Sequence, residues 1–454
     1  MTPRTRRRLL PLALVLILAG CGDAPVSPST SPTPQRSSTA PPPATSTAPA
    51  ATVTPSATPA AIATTSPTQE LIEFLLDSVA ADPTDGEAQR DLGLALLQRI
   101  RETADPSLYP AAEKALDEAR RLLPDDPLVL AGIGGLHLGR HEFADALATG
   151  EEALAAFPGY PSARGVVVDA LVELGRYDEA FTAAAAAATD APDLATLARL
   201  SYAQELQGDL DAALASMELA SMEPGLAPEN TAYVLALVGH LRRLTGDALG
   251  ATVAYEQALS LVPDHAPSLA GLGRLAVGDR DLEVARERFA RAAAIVPLPE
   301  YVIALGETLD AMGDAAGARD QFELASVLIT LFRSNGVIVD VDLALFEADH
   351  GDPAKALELA KAGFAATPTI RAADAVAWAL HRLGRDAEAI DWSVKALRLG
   401  SRDPLLLFHA GAIRAAVGQT TEARRDLQAA LDADPGFSPA GAAEARDLLA
   451  GLGG

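Results

Sequence analysis

At 454 residues the chain is too long for one compact core, which leaves several domains or an extended array. Apolar residues make up 49 % but aromatics only 4 %, so alanine and leucine carry the packing, which suits closely stacked helices better than a sandwich or barrel. The formal net charge of -25 argues against a nucleic-acid partner and against direct adhesion to anionic lipid.

The N-terminus reads as a secretion signal. Arg4, Arg6, Arg7 and Arg8 form a charged start, and Leu9 to Gly20 form an apolar run of 12 residues, short for a transmembrane span. The run ends in Leu18-Ala19-Gly20-Cys21, which resembles the bacterial lipoprotein signal. The resemblance implies cleavage before Cys21 and a diacylglycerol on its sulfur, so residues 1–20 are expected to be removed and Cys21 to be the lipidation site. Two or three acyl chains suffice for stable anchoring. Cys21 is the only cysteine, which excludes an intrachain disulfide and a cysteine metal site. Without the signal the net charge is -29.

Residues 21–68 form the linker. From Gly22 to Thr68 the chain is Pro-, Ser-, Thr- and Ala-rich with hardly a large apolar side chain, a composition that predicts disorder. Its 47 residues would span about 40 Å as a coil and roughly 145 Å fully extended as polyproline II. It reads as a tether.

Residues 69–454 carry a repeating helical pattern. Gln69 to Ala81 is one amphipathic helix serving as an N-terminal cap, and the next unit has a long internal loop around Asp105-Pro106. Pro124, Pro158 and Pro192 then lie 34 apart, each closing a unit with small residues in phase, such as Ala146 and Ala153 or Ala180 and Ala187. Pro224 falls one place early and Gly225 to Asn230 is an insertion. The stretch Leu235–Pro263 is the clearest unit: two amphipathic patterns broken at Gly246-Asp247, with Ala251, Tyr255 and Ala258 placing one large knob among small residues. Ala285, Phe289, Ala292 and Pro297 keep the phase, Leu331 to Asp340 interrupts it, and three more units lead to a C-terminal cap at Phe437 to Leu452.

Ten units plus caps at this period resemble the tetratricopeptide repeat (TPR), a helix–turn–helix unit of 34 residues. No unit matches perfectly, and the tryptophan of the family's first helix is missing throughout. The fold class is therefore all-α, an antiparallel helical solenoid. The resemblance implies a right-handed superhelix with an extended concave surface lined by the first helices.

Nothing in the sequence forms a catalytic constellation. His137 and His141, with Glu142 and Asp145 nearby, sit at an inter-helix turn, as does Asp349-His350. Gly132-Ile133-Gly134-Gly135 lies inside a first helix with no preceding strand, where glycines serve packing and not phosphate binding. Neither GxSxG nor HExxH occurs. The chain is expected to be no enzyme and to use no cofactor or metal. Placing the family's groove positions on this chain brings up Tyr202, Tyr233, His240, Arg243, Arg274, Arg371, Trp378, His381, Arg382 and Phe408 as candidate partner-binding residues. Aromatic and arginine side chains are the preferred anchors of recognition surfaces. The expected function is a protein-interaction scaffold, lipid-anchored on the extracytoplasmic face of a membrane and gripping a protein or peptide partner. An assembly factor for an envelope complex is the alternative.

Overall fold

The computed structural model describes residues 66–453 apart from 224 and 226; the signal, Cys21, nearly all of the linker and Pro224 lie outside the described residues. Among the described residues there are 22 α-helices, one 3₁₀ turn and no strand. Helix α1 (Pro67–Ala81) caps the start. Ten antiparallel pairs follow, beginning with α2 (Gly86–Thr103) and α3 (Tyr109–Leu122), α4 (Pro127–Gly139) and α5 (Phe143–Ala156), and α6 (Pro161–Glu173) and α7 (Tyr177–Asp190). The middle pairs are α8 (Leu194–Leu206) with α9 (Leu210–Met222), α10 (Pro228–Leu244) with α11 (Ala248–Leu261), and α12 (Ala266–Gly278) with α13 (Leu282–Ile295). Next come α14 (Pro299–Ala311) with α15 (Ala315–Ser334) and α16 (Asp340–His350) with α17 (Pro353–Ala366). The last pairs are α18 (Ile370–Arg382) with α19 (Asp386–Ala396) and α20 (Pro404–Ala416) with α21 (Thr420–Ala433), before the closing helix α22 (Pro439–Leu452).

Local chemistry sets these boundaries. Asp126, Asp193, Asp247, Asp281, Asp314 and Asp403 each cap a helix by accepting from a first-turn amide. Proline occupies the first turn of α4, α6, α10, α14, α20 and α22, where its missing N–H costs nothing. Except in the α16–α17 turn, where Gly351 has φ of -137°, the turn inside each pair uses one left-handed residue. Gly175, Gly208, Gly246, Gly313, Gly384 and Gly418 supply it with φ between 70° and 86°, whereas His141 and Arg280 adopt φ of 60° and 61° with a side chain.

The repeat signature is a packing device. Ala251, Tyr255 and Ala258 are buried, and a Cβ added at Gly239 would stand 2.6 Å from the Tyr255 ring; one at Gly271, on the next pair, would overlap it. The knob is held between two glycines from successive units. Phe289 against Gly273 and Phe322 against Gly306 repeat the contact within a pair, each with one glycine.

The irregular stretches have structural work. The long loop of the first pair holds Ala104 with left-handed φ and a 3₁₀ turn at Pro106–Leu108. The interruption after α15 arises because that helix runs on for 20 residues, to Ser334. Its exit loop then reaches an earlier part of the chain: the Ile338 amide donates to Arg140 O at 3.0 Å, and His141 Nδ1 donates to Ile338 O at 2.6 Å, 197 residues away. Further along, the Ile370 amide donates to the Tyr177 hydroxyl at 3.0 Å across 193 residues, and Arg398 lies over the Tyr177 ring. Gly208 abuts the Gly400 carbonyl so closely that a Cβ would run into it, and Arg243 pairs with Asp434. The cores merge as well: Ile72 and Leu75 share a cluster with Leu328, Ile329 and Val337, and Tyr177 shares one with Ile370 and Leu406. The solenoid is thus a superhelix whose second turn stacks on its first, between five and six units later. The expected concave surface is thereby walled by both turns.

Candidate functional site

The first helices of both turns face this concave side, the lumen of the superhelix. A cavity of about 1160 Å3 is walled by α1, α2, α10, α11, α12 and α14. Tyr233 is half-buried in its wall, Tyr255 and Tyr301 are buried there at 2 % and 4 % exposure, and Leu71, Leu237 and Leu298 add apolar lining. Burial pushes the Tyr233 hydroxyl up to about 12 and raises that of Tyr301 well above its ordinary value, so both stay neutral hydrogen-bonding groups at physiological pH.

The charges in this wall are mostly spoken for. Arg101 pairs with Glu229 at 2.8 Å, and Gln98 also donates to Glu229. Glu102 accepts from Thr68, Gln98 and Arg99, and Asp264 pairs with Arg291. His240 contacts Glu205 and Arg243. Arg274 is the exception: among the described residues it has no hydrogen bond or ion pair from its side chain, and it is half-buried in the wall. Buried Nε atoms of Arg101 and Arg243 and the Nε2 atom of His265 also lack partners.

Outside this cavity, residues from α6, α8, α14, α16 and α18 converge on Arg371, whose side chain is 65 % exposed. It pairs with Asp342 at 2.5 Å and feels the charges of Glu173 and Glu300 and the Tyr202 hydroxyl. Glu173 has no hydrogen bond or ion pair among the described residues. Burial, with Asp169 and Asp342 adding to it against Arg371, pushes its carboxyl up to about 7.

The ten groove residues expected from the sequence therefore divide. Tyr202, Tyr233, His240, Arg274 and Arg371 line the lumen or its cavity. Trp378, Phe408 and Arg243 do not present a surface; they are 1 %, 2 % and 7 % exposed. This corrects their reading as groove anchors. Small neighbours let the indole sink between helices, where its Nε1 donates to Asp349 at 2.7 Å and its ring stacks on His409 at 3.9 Å. His381 and Arg382 do gather around Trp378, but as its packing: His381 stacks on the ring and bonds Asp386, and Arg382 lies 5.4 Å above it and donates to Ala348 O.

His409 was not among the expected residues. Burial would lower its pKa, but Asp374 at 2.8 Å, with Asp349 and Asp403 nearby, holds it above the ordinary value. Only its spacing of 35 from Asp374, about one repeat, could have flagged it.

The turn histidines are engaged too. His137 Nδ1 lies 2.6 Å from Glu142 Oε2, and with Asp145 their ligand atoms fall within 4.8 Å of one another. A tetrahedral ion with bonds near 2.0–2.1 Å needs ligands about 3.3 Å apart, so the His137–Glu142 hydrogen bond accounts for this grouping. His350 stacks on Phe322 and faces Glu307 at 3.4 Å. Gly132 and Gly134 sit in α4, where a Cβ would strike Leu94 and Val166; they serve packing.

No protein-family model and no curated protein matches this chain. Solved structures do. A tetratricopeptide repeat protein from Parabacteroides merdae is 18 % identical over 57 % of this chain and 99 % of its own, with a TM-score of 0.33. A chain of the APC/C hetero-tetramer Cut9–Hcn1 is 12 % identical over 86 % and 96 %, with a TM-score of 0.36. Human IFIT1, solved as a dimer with m7Gppp-AAAA, is 14 % identical over 81 % and 94 %, with a TM-score of 0.45. Likeness at this level bears on neither partner nor activity. The helix pairs, their period and the glycine-flanked knobs themselves define a TPR-type solenoid. Among the described residues no helix is long and apolar enough to cross a membrane.

Proposed function

We propose that this chain is a lipid-anchored, extracytoplasmic binding module whose superhelix holds a segment of a protein or peptide partner inside its lumen, without bond chemistry. The observation that carries this is the cavity of about 1160 Å3, walled by tyrosines and by an arginine with no partner. Anchoring rests on the Arg-rich start, the apolar run and Cys21. The linker supplies reach between lipid and solenoid. Site-specific photo-crosslinking on intact cells tests the site: a benzophenone at Tyr233 should capture a partner, and one at Leu249, 84 % exposed, should not. The opposite pattern would contradict it. Incorporation of a clickable fatty acid that is abolished by Cys21→Ser tests the anchor; equal labelling of both forms would refute it.

One observation favours the second reading, an assembly factor in an envelope complex. Leu219, Met222, Leu249 and Val253 on α9 and α11 are between 52 % and 84 % exposed, as an outer docking face would require. Capture at Leu249 alone would select it.

A further inference from the structure

We infer that the cavity accepts an uncharged, proline-rich extended segment, and that its resident occupant is a part of this chain's own stretch from residues 37–65. The inference rests on the cavity being a binding site. Three observations carry it.

The first is connectivity. Ser66, Pro67 and Thr68 belong to the cavity wall, and the Ser66 hydroxyl accepts from Arg99 at 3.2 Å. The preceding segment, outside the described residues, therefore joins the fold at the rim of the cavity. An intramolecular ligand attached so near its site acts at a high effective concentration.

The second is hydrogen-bond stoichiometry. The wall offers a donor without an acceptor: the half-buried guanidinium of Arg274. Proline has a carbonyl and no N–H, so a proline-rich strand brings acceptors in excess. Residues 37–65 contain six prolines. The half-buried Tyr233 ring suits such a strand, whose proline rings pack flat on aromatic faces.

The third is charge. Residues 37–65 carry none, so the occupant leaves the Arg101–Glu229 and Arg99–Glu102 pairs intact. An acidic segment would meet Glu102, Glu229, Asp264 and Glu300 in the same wall.

The test uses the full chain carrying Cys21→Ser and Ala57→Cys, with a benzophenone on the new thiol and crosslinks mapped by mass spectrometry. Crosslinks should fall in α10, α12 and α14, and should drop about tenfold in Arg274→Glu and in Tyr233→Ala, with helix content and melting checked for both. A free peptide of residues 48–65 should compete only at millimolar concentration. Crosslinks spread over helices that do not line the cavity, a yield unchanged in both variants, or crosslinks between two copies would each overturn the inference. A partner captured at Tyr233 in cells without any intramolecular crosslink would overturn it while leaving the binding module standing.

Discussion

Glu173 shows how the lumen stores electrostatic cost in a single side chain. Its folded pKa of about 7 lies above the ordinary 4.5, so the folded state prefers the protonated form. That preference favours folding fully below pH 4.5, and it is lost as pH rises through 7. Glu173→Gln should therefore gain stability relative to the parent as pH rises from about 4.5 to about 8. Solvent reaches the half-buried carboxyl, so the gain should be about 1–3 kcal/mol in denaturant titrations at the two pH values. A pH-independent difference would show that Glu173 is solvated. At Arg280, φ of 61° strains a side chain where other units use glycine; Arg280→Gly should stabilise the protein by about 0.5–1 kcal/mol, read as a rise in Tm. His141 shares this backbone strain, yet its ring is committed to Ile338 O, so His141→Gly should lose stability instead.

At the scale of the helix pair, packing around the knob sets stability. Gly271→Ala would drive a methyl into Tyr255 and should cost about 1–3 kcal/mol. The outer face has no such constraint, and Leu249→Ala on it should change stability by less than about 0.5 kcal/mol. Chemical denaturation of the two variants checks the contrast. This level was legible in the sequence: the Ala251–Tyr255–Ala258 spacing, the closing prolines at 34-residue intervals and the caps at both ends all correspond to helices and turns. The groove was only partly legible. Position within a repeat says which face of a helix a residue occupies, so Tyr202, Tyr233 and Arg274 fell on the inner side. It says nothing of depth, and Trp378 and Phe408 sank into the core because their neighbours are alanines.

At the scale of the molecule, the decisive feature is stacking of the superhelical turns. It depends on contacts 193 and 197 residues apart, which no local periodicity encodes; the interruption after α15 marked the place but not its use. Stacking brings both turns around the concave side, where the proposed partner, or the chain's own linker, would sit. Two backbone amides report it directly. Ile338 N–H and Ile370 N–H have their acceptors in the first superhelical turn, on Arg140 O and Tyr177 Oη. Residue-resolved hydrogen–deuterium exchange should find both amides protected far beyond a free loop or helix start, with Tyr177→Phe releasing Ile370 and leaving Ile338 protected. Exchange of both at the unprotected rate would mean an open solenoid and would contradict the stacked turns.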